Sequence, residues 1–157
     1  MENFFCSFEG ACINCEALIG FIQEYVYRQV GTMDGFFGNI EKLTQGNAFF
    51  RKVLFTGAHL QLVVMSLLPG EDIGLETHSH TDQFIRVESG EGKCRIGESE
   101  YVLSDGVAVV IPAGMLHNVW NTSRSSPLRL YTLYAPPEHP VGTIHRVKAD
   151  AVEEPHH

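Results

Sequence analysis

At 157 residues, with 44% hydrophobic residues, 15 glycines and 7 prolines, the chain has the size and composition of one turn-rich globular domain. Its longest apolar stretches, Leu60 to Leu68 and Val107 to Pro112, fall far short of the roughly 18 residues that a membrane span needs. Nineteen acidic residues against 11 basic ones give a formal charge of -8, and the Lys and Arg are scattered, with only Arg51 and Lys52 adjacent, which excludes the basic stripe of a nucleic-acid binder.

The first residues, Met1 to Cys6, carry neither a basic n-region nor a small-residue cleavage site, so a cytoplasmic location is expected. In that compartment the four cysteines stay reduced. Cys12-Ile-Asn-Cys15 has the gap of a zinc site, but no second such pair completes four ligands, and thiols packed beside a helix are the simpler reading for Cys6, Cys12 and Cys15.

In chain order, Leu18, Phe21, Ile22, Tyr25, Val26 and Val30 recur at spacings of three and four, which predicts an amphipathic helix over about Asn14 to Val30. A short second helix is expected from Asn39, whose side chain can cap free amides, to Gly46. After Asn47 the period drops to two. Strand-like runs follow at Arg51 to Thr56, His59 to Leu68, Asp82 to Glu88, Lys93 to Ile96, Tyr101 to Leu103, Val107 to Ile111, Val119 to Asn121 and Leu128 to Tyr134. The turn signals between them, such as Pro69-Gly70, Ser89-Gly90, Asp105-Gly106 and Pro112-Ala-Gly114, suit hairpins rather than crossover helices, so an antiparallel barrel or sandwich is expected. The chain thus divides into a helical extension (1–48), a β-barrel (49–137) and an irregular tail (138–157), in which Lys148 to Val152 suggests a last helical turn. Ser89-Gly-Glu-Gly-Lys93 is a hairpin turn and not a phosphate loop, because Val87 stands where the first glycine is required and Cys94 where Ser or Thr is. In the run from Asp82, Ile85 and Val87 share a face with Gln83, while Arg86 points outward.

His78-Ser-His80 lies between two strand-like runs, and in extended chain residues i and i+2 point to the same side. Two imidazoles can therefore converge on one ion. Gln83 follows, then six residues to Gly90. Further on, Gly106, five residues, Pro112, one, Gly114, two, His117, three, Asn121 form a second block.

These two blocks resemble the two motifs of the cupin superfamily. The second agrees at every named position. The first keeps paired histidines and the closing glycine, but has Gln83 in place of glutamate, with two residues after the second histidine where the family has three or four. The resemblance covers about Arg51 to Pro136, and Tyr131 to Arg146 is similar to the tail of small single-domain cupins; the helical extension lies outside it. It implies an all-β fold, a cupin double-stranded β-helix or jelly-roll barrel. His78, His80, Gln83 and His117 are then the ligands of one divalent metal, with Gln83 bound directly, through water, or only orienting a ligand. Imidazoles do not choose among Mn, Fe, Zn, Ni and Cu.

One fold hosts many reactions, so the resemblance admits oxygenases, isomerases and lyases and leaves catalysis itself open. Neutral ligands around a dication favour a small polar or anionic molecule as substrate or ligand. A non-catalytic barrel that binds or senses a small molecule is the alternative. Glu76 and Glu88 are candidates for a base only by their nearness in sequence. Unpaired strand edges and the amphipathic helix favour a homodimer.

Overall fold

The computed structural model describes residues 35–151. The helix expected over Asn14 to Val30, the cysteines Cys6, Cys12 and Cys15, and the terminal His156 and His157 lie outside the described residues.

The expected short helix forms as α1 (Ile40–Gln45). Asn39 Oδ1 accepts from the Lys42 amide at 3.0 Å, satisfying one of the free N–H groups of the first turn, and the helix ends at Gly46. Among the described residues nine strands follow: β1 (Arg51–Thr56), β2 (Gln61–Leu67), β3 (Asp82–Ser89), β4 (Gly92–Ile96), β5 (Ser99–Leu103), β6 (Ala108–Ile111), β7 (His117–Asn121), β8 (Leu128–Ala135) and β9 (Ile144–His145). They pair antiparallel in two sheets, of order β6-β3-β8-β2-β1-β9 and β5-β4-β7. This is the all-β jelly-roll barrel that the resemblance implied, in which the two sheets face each other across a common core.

Alternation along the strands builds that core. On β8, Leu128, Leu130, Thr132 and Tyr134 are buried while the residues between them are more exposed. Their apolar members meet Val63, Met65 and Leu67 of β2, Ile85 and Val87 of β3, Cys94 of β4 and Val119 of β7 in one cluster. Each such aliphatic side chain contributes about 1.5–3 kcal/mol by leaving water. Strand β2 is buried on both faces, because Leu62 and Val64 on its outer side form a second cluster with Phe36, Ile40 and Leu43 of the helix region. Gln83, Ile85 and Val87 are buried together, as period two requires, and the Arg86 guanidinium reaches along the strand to the buried carboxylate of Glu88.

Two connections are held by close backbone contacts. At Gly90, φ is +97° and an added Cβ would lie 2.5 Å from the Pro127 carbonyl oxygen, so only glycine lets β3 turn against the start of β8. Isolated bridges from Asp72 to Trp120 and from Glu76 to His117 lay the segment 72–76 along the edge of β7. The C-terminal part, expected to be irregular, contains β9, which pairs with β1, and a 3-10 turn at Lys148–Ala151. The Lys148 ammonium bonds to the Asp72 carboxylate, whose other oxygen accepts from Asn118 at 3.0 Å. Among the described residues no helix is long and apolar enough to cross a membrane.

Candidate metal centre

Strand β7 begins at His117, and the bridge to Glu76 has both of its hydrogen bonds, Glu76 N to His117 O and His117 N to Glu76 O, each 2.9 Å. Directly opposed residues of an antiparallel pair project to the same side. Two residues after Glu76 comes His78, whose carbonyl accepts from Gly114 at 2.8 Å. The turn that carries His117 into β7 is thus fastened to the loop that carries Glu76 and His78. Asp82 adds a second tie by accepting from the Ala113 amide at 2.8 Å.

Glu76, His78 and His117 each bring one donor atom to a common point, all within 4.8 Å of one another. Metal–ligand bonds of about 2.0–2.2 Å hold any two donors within roughly 4.4 Å, so small side-chain rotations would close this group on an ion. The protonation pattern fits. His117 Nδ1 lies 2.9 Å from the Met115 carbonyl, which can only accept, so Nδ1 carries the proton and Nε2 is a bare lone pair. That Nε2 is buried without a hydrogen-bond partner. His78 repeats the arrangement: Nδ1 is 3.0 Å from Glu138 Oε1, and Nε2, buried and without a hydrogen bond, stands 3.4 Å from Glu76 Oε2, in ion-pair reach but not aligned. Two imidazole lone pairs and a carboxylate without an aligned donor match what a divalent cation requires and leave a burial cost uncompensated without one.

The electrostatics of the two histidines differ. Burial pushes the His117 pKa below its ordinary value, the Met115 carbonyl opposes this, and the charge of His78 adds to the lowering. Burial also works against a charged His78, but the carboxylates of Glu76 and Glu138 outweigh it and hold its pKa above the ordinary value. The other oxygen of Glu76 faces the Arg51 guanidinium, Nη2 to Oε1 3.7 Å, with the Arg51 side chain 6% exposed.

Of the four ligands that the cupin resemblance implied, His78 and His117 belong to the group. Gln83 is 1% exposed on the inner face of β3; its Nε2 donates to Thr132 Oγ1 at 3.1 Å, which leaves the buried Oε1 without a partner and free to accept or to ligate. His80 is not brought in. It is exposed, because the chain bends at Ser79 and His80 and breaks the alternation that a His-x-His pair needs. Glu76 lies in the group where His80 does not, so a carboxylate stands beside the two imidazoles. A signal for this was in the spacing. Gln83 follows His80 after two residues, which is short for the family, but follows His78 after four, which is not. Counted from His78, the first pair of the motif would be Glu76-Thr77-His78, with a glutamate at the position of the first histidine.

The cupin domain profile matches residues 63–134. The chain is 51% identical over 120 residues to the protein YrkC of Bacillus subtilis, which covers 73% of this chain and 64% of that protein, so the match leaves about a third of YrkC outside it. It is 43% identical over 109 residues to the protein L612 of Acanthamoeba polyphaga mimivirus, covering 68% of each. The crystal structure of BH2720 from Bacillus halodurans superposes with a TM-score of 0.76 at 47% identity, over 79% of this chain and 98% of that one. With both sheets, the second motif and a histidine–carboxylate group at the facing edges, the chain belongs to the cupin family.

Proposed function

We propose that this cupin holds one divalent transition-metal ion between Glu76, His78 and His117, with the Gln83 amide oxygen as a fourth donor, and that positions left open on the ion receive a small polar or anionic molecule. The observation that carries the reading is the pair of buried, unpartnered Nε2 atoms of His78 and His117 beside a carboxylate. Two imidazoles and one carboxylate with open positions are the set that suits non-haem Fe(II), and Mn or Zn fit the same donors. A dication held by one carboxylate keeps a formal charge of +1, and the nearby Arg51 and Glu138 offset each other, so an anionic ligand is favoured. When bound, such an ion supplies Lewis acidity to that ligand or activates water.

Catalysis of oxygenase, isomerase or lyase type is consistent with this centre. Non-catalytic binding of the same small anion is the second reading, supported by the engagement of both nearby carboxylates: Glu76 faces Arg51 and His78, and Glu138 bonds His78 and Thr81. Elemental analysis of protein purified without a nickel column tests the metal, with stoichiometric metal expected in the wild type and little in His117→Ala. Titration of oxalate or citrate into the loaded protein tests the ligand class. Equal metal content in the two proteins refutes the centre, and binding without turnover selects the second reading.

A further inference from the structure

Beyond β8 the chain passes Pro136 and Pro137 and returns to the mouth of the barrel, where it is held by several independent contacts. The buried Gln61 side chain clasps its backbone from both sides, Nε2 donating to the His139 carbonyl at 2.7 Å and Oε1 accepting from the His139 amide at 2.9 Å. The His139 ring meets Tyr134 edge to face at 5.0 Å between centroids, and Tyr134 in turn packs against His78 at 5.7 Å. These contacts deliver Glu138 to His78. Both carboxylate oxygens are then occupied: Oε1 accepts from His78 Nδ1 at 3.0 Å and Oε2 accepts from Thr81 Oγ1 at 3.0 Å, with Thr81 itself 5% exposed.

A carboxylate in this place does two things to an imidazole. It holds a proton on Nδ1, so that an ion which displaces the other proton meets Nε2 as the donor atom facing Glu76 and His117, and it makes that nitrogen a stronger donor. Thr81 fixes the rotation of the carboxylate. Resting on the proposed metal centre, we infer that Glu138 is a positioning residue for the His78 ligand, and that the strap 136–140 is part of that centre, so that ion binding and strap docking reinforce each other. A contact that only pinned the tail would lower stability when removed and leave metal affinity alone.

Mn(II) and Zn(II) titrations by calorimetry on the full chain separate these. Glu138→Ala should weaken binding by about 10- to 100-fold. Glu138→Gln, which can accept the same bond without the charge, should fall between Glu138→Ala and the wild type. Thr81→Val should lose several-fold, and Thr81→Ser, which keeps the hydroxyl, should restore it. Hydrogen exchange in 136–140 should slow on adding metal to the wild type and not to Glu138→Ala. If Glu138→Ala fails to fold, Glu138→Gln and the Thr81 pair carry the comparison. Wild-type affinity in folded Glu138 and Thr81→Val variants overturns this inference while leaving the metal centre standing. A wild type that takes up neither ion overturns both.

Discussion

Exchanging Glu76 and His80 one at a time distinguishes the two ways of reading the first motif. At a free metal concentration about 100 times Kd, an ion bound only by the folded state stabilises it by roughly 2.7 kcal/mol. A domain of this length shifts its Tm by about 2–4 °C per kcal/mol, so the wild type should melt some 5–11 °C higher with metal than without. Glu76→Gln removes a unit charge from a ligand. Unit charges about 4 Å apart interact by roughly 4 kcal/mol at an effective dielectric of about 20, and a ligand sits closer than that, so a loss of at least about 100-fold in affinity is expected. The same metal concentration then matches the new Kd, the stabilisation falls to about 0.4 kcal/mol, and the shift shrinks to roughly 1 °C. Glu76→Gln also leaves the buried Arg51 without its carboxylate and lowers the metal-free Tm, which is why each variant is compared with its own chelated form. His80→Ala changes an exposed side chain outside the group and should keep the whole shift. Differential scanning fluorimetry with and without chelator reads all three proteins. A full metal shift in Glu76→Gln together with a lost one in His80→Ala would refute the geometry and return the site to a His78–His80 pair.

Metal affinity should rise with pH and then level off, because a proton competes with the ion for His78 and its pKa lies above the ordinary 6.5. In the metal-free protein the sign is opposite: the contribution of His78 to stability is complete below its unfolded pKa and is lost as pH climbs through the higher folded one. Calorimetry in buffers of different ionisation enthalpy measures the released proton, and an affinity that stays flat across about pH 5 to 8 would disprove the competition. Gly90→Ala should cost more than about 1 kcal/mol, since it places a Cβ 2.5 Å from the Pro127 oxygen at a φ of +97°; an unchanged urea midpoint would show that the turn relaxes freely. Burial pushes the Cys94 thiol up to about 11, so peptide mapping after treatment with iodoacetamide at neutral pH should find Cys94 unmodified in native protein and modified in urea, and labelling in the native state would mean that β4 opens readily.

The elements of the barrel were legible because the forces that make them are local. Short strand-like runs between turn signals marked Arg51–Thr56 to the residue, alternation marked the Leu128 run to within one, and the glycines at 90, 106 and 114 stand where the backbone takes positive φ. Asn39 and Gly46 bounded the short helix through caps that need no distant partner. The second motif placed His117 for the same reason, since turn and ligand lie within a few residues of each other. The side chain opposite it was decided elsewhere. Whether Glu76 or His80 joins His78 depends on which residue β7 pairs with and on where the chain bends, and both are settled by strand register against His117 and by the Gly114 bond to His78, contacts that span some forty residues of sequence. Glu138 was invisible for a stronger version of the same reason: it is an ordinary acidic residue in a proline-rich tail until Gln61, on the opposite side of the barrel sequence, brings its backbone to the mouth and His78 gives its carboxylate a partner.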